Sequence, residues 1–355
     1  MPTIRTRTVK ASGGDYTSLS AWEAGEQGDL PTLDEIRQAE CYAMVDTTAV
    51  TIDGWTTDAT RYIRIYAALG CEAGAPYRSS GAYSLEMTNQ PGIISIGENY
   101  VRIERIQLKV TSTGSGSVRC INTLAASISA AVGEIQIIGC TLVGVLSSTS
   151  TTQSSCIFRT ISGGAIKYIA ANNVFYDFTS SAAAQGVCLE TAMANGITGE
   201  MHFLNNTMYN CFRGVHSASG TNAPSNVRLK NNGFDSNGVA SADGYLAVTG
   251  TWHPDSDYNA SDLADDAPGP YARNSVSPAF VNESARDLHL LPTDTAWKDR
   301  GTNLASDSGF AFNDDFDGRV RLDWWDIGAD EFSEFGDDDA PRLGQMRYDS
   351  HVTVF

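Results

Sequence analysis

The sequence has no apolar run long enough to cross a bilayer, about 18 residues, so it predicts no membrane-spanning helix. Basic residues are scarce. With 24 Lys and Arg against 42 Asp and Glu the formal charge is −18. That leaves no basic stripe to neutralise phosphates, excludes nucleic acid as a partner, and predicts a self-repelling surface. Seven cysteines is an odd number, and the opening "MPTIRTRTVKASGG" has no apolar signal segment. The thiols therefore read as reduced core residues of a chain made in the cytoplasm without a signal peptide, rather than as a disulfide framework. Acidic residues are nearly missing from the middle of the chain, where 106–189 holds only Glu134 and Asp177.

What the chain does have is a repeat. Registered on an asparagine pair, "YIAANNVF" from Tyr168, "MHFLNNTM" from Met201 and "VRLKNNGF" from Val227 align without gaps, as do "VRIERIQL" from Val101 and "IQIIGCTL" from Ile135. Successive starts are 34, 33, 33 and 26 residues apart, a period that marks a solenoid or propeller whose units bury their faces by stacking. Alternation runs for only a few β-branched and aromatic residues, with no helical period between copies. A second strand-like patch precedes each copy, at 93–96, 118–122, 155–159 and 187–191. Two or three short strands per turn, with no Asn-Gly or Asp-Gly hairpin signal at a fixed repeat position, predict an all-β parallel β-helix rather than a propeller.

The second position of the pair reads Ile106, Cys140, Asn173, Asn206 and Asn232, apolar early and asparagine late, so it faces inward. Asn173, Asn206 and Asn232 are then a structural ladder bonding side chain to side chain along the axis, beside an apolar row of Leu108, Leu142, Phe175, Met208 and Phe234. The first position, Arg105, Gly139, Asn172, Asn205 and Asn231, favours residues that tolerate a left-handed backbone and reads as a corner. Cys120, Cys156 and Cys188 occupy matching places in the preceding patch and suit an interior stack.

Open strand edges need covering. Ser20 with Glu23 and Thr32 with Glu35, the latter beside Pro31, have capping-box spacing, and predict short helices over the first rung, with "AVTIDGW" (49–55) and "RYIRIYA" (61–67) as first strands. The chain divides into an N-terminal arm (1–13), a cap with first strands (14–60), β-helix rungs (61–250), an irregular closing segment (251–335) and a tail (336–355). Periodicity stops near Asn237. Both ends read as attachment segments: a basic strand-like arm with Arg5 and Arg7, and a final "HVTVF" with Val352, Val354 and Phe355 able to add to a neighbour's sheet edge.

The closing segment carries "SDYNAS" (256–261), "PAFVN" (278–282), "DLHLLP" (287–292), "DRGTN" (299–303), "DDFDGRVR" (314–321) and "DIGADEF" (326–332), and the opening carries "GDYTSLSAWEAG" (14–25). In that order they resemble the single-stranded right-handed parallel β-helix proteins of the pectate-lyase-like superfamily, choice-of-anchor Q type, including bacteriophage and prophage copies. The resemblance spans residues 11 to about 333 and implies fold more than chemistry. It implies a virion structural protein of a bacteriophage: a capsid decoration, head fibre or tail-associated spike. Its partners would be other virion proteins or copies of itself, a trimer being one such homo-oligomer. The alternatives are a tailspike that binds or depolymerises a host surface glycan, and a bacterial cell-surface β-helix protein.

Catalysis would leave traces that this chain lacks. Hydrolysis needs two carboxyl groups converging across the sugar, about 5–9.5 Å apart, and the repeat faces offer few acids. No catalytic residue and no cofactor is expected. "RLK" (228–230) sits inside the repeat and reads as structural, and a lyase or hydrolase activity would have to draw on His216 in "RGVHS" and the closing-segment aspartates. Calcium is the one candidate ion, since Asn313, Asp315, Asp317 and Gly318 match the start of a calcium loop, although Trp324 stands where its bidentate glutamate belongs. The competing reading has these carboxylates accepting backbone and Arg319 or Arg321 hydrogen bonds in a tight cap.

Overall fold

A computed structural model describes residues 1–77, 80–124, 128, 132–147, 154–161, 165–180, 186–193, 199–217, 224–322 and 324–333. The chain winds through three all-parallel sheets of eight, eight and seven strands, and each full turn contributes one strand to each. Sheet 1 begins at Thr3–Val9 and Glu35–Cys41 and ends at Val227–Lys230, sheet 2 runs from Met44–Asp46 to Ala260–Ser261, and sheet 3 from Val50–Ile52 to Asp243–Ala247. It is a parallel β-helix. No helix among the described residues is long and apolar enough to cross a membrane.

The register is the one the gap-free alignment predicts. Ile135 pairs with Val101 and Tyr168, and Met201 with Tyr168 and Val227. In sheet 2, Leu108, Leu142, Phe175, Met208 and Phe234 stack in one fully buried row. Burying each such side chain contributes about 1.5–3 kcal/mol, so a slip of one residue, which would turn the row outward, is strongly disfavoured. Between the strands of sheets 1 and 2 one residue per turn turns the corner with positive φ: Arg105 (56°), Gly139 (63°), Asn172 (52°), Asn205 (50°) and Asn231 (54°). Cys120, Cys156 and Cys188 lie buried on neighbouring strands of sheet 3, and all seven cysteines are free thiols.

The N-terminal end differs from the sequence expectation in three ways. The first strands are Thr3–Val9 and Glu35–Cys41, paired in parallel along their whole length, so the segment read as an arm is the edge strand of sheet 1. Helix α1 (Leu19–Glu26) is capped by Ser18, whose hydroxyl accepts from the Ala21 N–H, while Glu23 accepts from Trp55 Nε1 instead of closing a capping box. Helix α2 (Leu30–Leu33) is a single turn capped by Asp29 and stopped by Asp34 in the left-handed region, which releases Glu35 into the strand. Leu19 and Trp22 of α1 pack over the core, Trp22 stacking on Trp55 at 5.7 Å.

Glu98 accepts from the Trp55 N–H at 2.7 Å in this same region. Burial, helped by the charges of Asp53 and Glu23, pushes its carboxyl up to about 7. The folded chain therefore holds this proton more tightly than the unfolded chain, in which a glutamate titrates near 4.3. The resulting stability is fully present below that value and is lost as pH rises through about 7. Glu98→Gln, which keeps an acceptor for Trp55, is expected to melt above the wild type at pH 8 and level with it at about pH 4. Parallel melting curves across that range would contradict this.

Candidate functional site

The corner between sheets 1 and 2 gives each asparagine of a pair a different task. The second points inward: Asn173 Nδ2 donates to Asn206 Oδ1 (3.0 Å), Asn206 Nδ2 to Asn232 Oδ1 (2.9 Å), and Asn232 Nδ2 to Asn259 Oδ1 (3.0 Å). Each Oδ1 also accepts a backbone N–H from the preceding rung, and each Nδ2 also reaches a carbonyl, so the buried amides are satisfied. Asn259 extends the ladder beyond the point where the periodicity was expected to stop. Tyr258 before it takes the left-handed corner (56°), and Ala260–Ser261 continues sheet 2.

The first asparagine points outward and holds the closing segment. Asn172 Nδ2 donates to the Asp314 carbonyl (2.8 Å), Asn205 Nδ2 to the Asp326 and Gly328 carbonyls, and Asn231 exchanges two hydrogen bonds with Thr302. Because these asparagines sit on successive turns, the closing segment lies along the side of the solenoid. Its apolar residues Phe280, Leu288, Trp297, Phe316 and Ile327 pack with Val143, Val174, Tyr176 and Tyr209 from the outer face of sheet 2. Trp297 covers Gly233 so closely that an added Cβ would lie 2.4 Å from the indole ring.

Two charged groups complete the fastening. The side chain of Arg321 is fully buried and donates to Asn172 Oδ1, to the Gly328 and Ala329 carbonyls and to Glu331 (3.0 Å). Arg228 and Lys230, the "RLK" of the repeat, both bind Asp307, at 2.7 and 3.1 Å.

Beyond these contacts lies a cluster of ionisable groups. His289 is on the strand Asp287–Leu290, Asp317 on the turn following Asp315, and Asp330 in "DIGADEF", and one ligating atom of each lies within 4.8 Å of the other two. His289 Nδ1 meets Asp287 Oδ1 at 2.5 Å, and its Nε2 meets Asp317 Oδ2 at 3.1 Å. Burial works against the imidazolium, but Asp317, Asp330 and Asp287 outweigh it and push His289 up to about 11. Asp330 Oδ2 accepts from the Leu290 N–H, while its Oδ1 is buried without a partner. Asp315 is 1% exposed. Its Oδ1 accepts from the Arg319 N–H, its Oδ2 is also unpartnered, and burial with the charges of Asp317 and Asp330 holds its carboxyl well above the usual range.

The residues singled out in the sequence are thus distributed over the molecule. Asn313 is exposed and Asp315 buried, and their loop closes as a tight antiparallel turn bridged at Asp314 and Val320, with Asp317 facing His289. His216 is on the strand Arg213–Ser217 of sheet 3, a different face from the closing-segment carboxylates, and burial together with Arg213 pushes it down to about 4. Arg5 pairs with Glu26 (2.9 Å) and Arg7 with Glu26 and Asp15, so their charges are engaged within the chain. Val352, Val354 and Phe355 lie outside the described residues. The sequence reading did not single out His289, Asp330 or Asn259. The signal for Asn259 was its 27-residue spacing from Asn232.

Comparison with protein-family profiles, with curated proteins and with solved structures returns no match for this chain. The parallel β-helix therefore rests on the strand pairing itself.

Proposed function

We propose that this chain is a bacteriophage virion structural protein, a short rigid rod serving as a capsid decoration, head fibre or tail-associated spike. The observation that carries this reading is the flank: the closing segment covers the outer corner of sheets 1 and 2 through backbone-directed amides, a buried arginine and an apolar layer. Such a surface stiffens the rod. The resemblance of "GDYTSLSAWEAG" and "DIGADEF" to phage-associated β-helix proteins supports the same assignment. Eight strands in sheet 1 make seven spacings of about 4.8 Å, a body of roughly 34 Å along the axis, which suits a decoration or spike better than a long fibre built from one copy.

Attachment is assigned to the chain ends. Thr3–Val9 is the edge strand of sheet 1, covered at its C-terminal end where Tyr16 bridges Val9, and a strand such as "HVTVF" from another copy can add beside its exposed first residues, Thr3 and Ile4, through main-chain hydrogen bonds. Deleting residues 340–355 is expected to leave the circular dichroism spectrum and melting temperature unchanged while abolishing oligomer formation or incorporation into particles. A truncated chain that still assembles would refute this mode of attachment.

One observation favours the glycan-binding alternative. Tyr258 and Tyr271 stack at 5.1 Å, with Tyr271 65% exposed, and Tyr258 lines a pocket with Lys230, Asp255 and Asp257. Exposed aromatic rings beside carboxylates suit a sugar face. Binding of host polysaccharide that is lost in Tyr271→Ala would move the assignment to a receptor-binding spike.

A further inference from the structure

We propose that His289, Asp317 and Asp330 form a binding site for a divalent first-row transition metal, with zinc the expected occupant. The three side chains come from three separate stretches of the closing segment, and their ligating atoms converge to within 4.8 Å.

Three features distinguish this place from an ordinary ion-pair network. The first is the arrangement of the histidine. Asp287 at Nδ1 fixes the ring and directs Nε2 toward Asp317, which is the carboxylate–histidine arrangement that orients a metal-bound imidazole and raises its basicity. The second is a pair of unpartnered oxygens. Asp330 is 8% exposed and Asp315 1% exposed, yet Asp330 Oδ1 and Asp315 Oδ2 have no hydrogen-bond partner, a costly state for buried carboxylates. A cation beside Asp330 Oδ1 would supply what it lacks. The third is access: His289 and Asp317 keep 23% and 26% of their side-chain surface exposed, so an ion can enter from solvent.

The donor set decides the metal. Calcium and magnesium take oxygen ligands, whereas one imidazole nitrogen with two carboxylates suits zinc and its first-row neighbours. Three protein ligands leave a position for water. When the metal binds, Nε2 releases its proton to solvent and its lone pair is donated to the ion. Asp330 also accepts from Leu290, so the ion would tie the hairpin Phe280–Leu290, the turn carrying Asp317 and the stretch 326–332 into one unit on the flank of the rod.

The test uses the full chain, stripped with a chelator and titrated with zinc chloride. Calorimetry is expected to show one zinc per chain, and saturation at about 100 times Kd should raise the melting temperature by roughly 3–4 °C. His289→Gln should abolish binding, and Asp287→Asn should weaken it about 10- to 100-fold. A readout on the wild type guards against misfolded variants: X-ray absorption of the zinc-loaded chain should show one imidazole among light-atom ligands. The proposal is overturned if the stripped chain takes up no zinc, if bound zinc lacks an imidazole, or if folded His289→Gln binds as the wild type does.

Discussion

Asn206→Leu is expected to lower unfolding stability by about 3–5 kcal/mol, far beyond what its similar volume would suggest. The side chain makes four bonds. It accepts from the N–H and Nδ2 of Asn173 and donates to the Ala170 carbonyl and Asn232 Oδ1. Leucine removes all four, leaves the Asn173 N–H and one Nδ2 hydrogen buried and unpaired at about 1–3 kcal/mol each before relaxation, and takes a second donor from the Ala170 carbonyl. Asn205→Ala, at the adjoining outward position, loses its ties to the Asp326 and Gly328 carbonyls and the bond it accepts from Asn231 Nδ2, and should cost less because it leaves no inward amide unpaired. Urea unfolding of both variants checks the order, and an Asn206→Leu chain within about 1 kcal/mol of wild type would show that the ladder is dispensable.

Arg321→Met carries the second large effect. Its guanidinium is the shared partner of Asn172, two carbonyls of the 328–329 stretch and the Glu331 carboxylate. Methionine fills part of the space but strands a buried carboxylate, and breaking a buried pair in this way costs about 3–5 kcal/mol. The damage should be local, because the rungs hold their own hydrogen bonds. The expected result is a chain with near-native far-ultraviolet circular dichroism in which limited proteolysis cuts between about 295 and 333 while the strands of sheets 1 to 3 stay protected. A variant as resistant as the wild type would mean that the closing segment is held by its apolar residues alone.

These two residues mark the limit of what can be read from the sequence. The register was legible because like residues recur at the same offset: Val101, Ile135, Tyr168, Met201 and Val227 align without a gap, and parallel in-register strands stack just such residues. The inward asparagines were legible for the same reason. Asn259 was not, since Tyr258 replaces the first asparagine and Ser261 the apolar residue after it. The strand Glu35–Cys41 was obscured by its charged residues, which satisfied a helix-cap spacing as well as they satisfy the outer face of a sheet. The outward asparagines and Arg321 have partners about 70 to 150 residues away, so no local pattern announces them. The cluster of His289, Asp317 and Asp330 has no motif spacing either. It exists only once the closing segment is laid along the rod.

That arrangement, an internal amide ladder beneath a segment held along the flank, is tested most directly by hydrogen exchange at the corners. The N–H groups of Cys140, Asn173, Asn206 and Asn232 lie at bends rather than within strands, yet each donates to an asparagine Oδ1 on the next rung. They should exchange as slowly as the strand amides of Ile137 and Phe203, with the Gly328 and Ala329 amides close behind, since these donate to the Asn231 carbonyl and Thr207 Oγ1. Fast exchange at these four corners, with the strands still protected, would contradict the ladder and the account built on it.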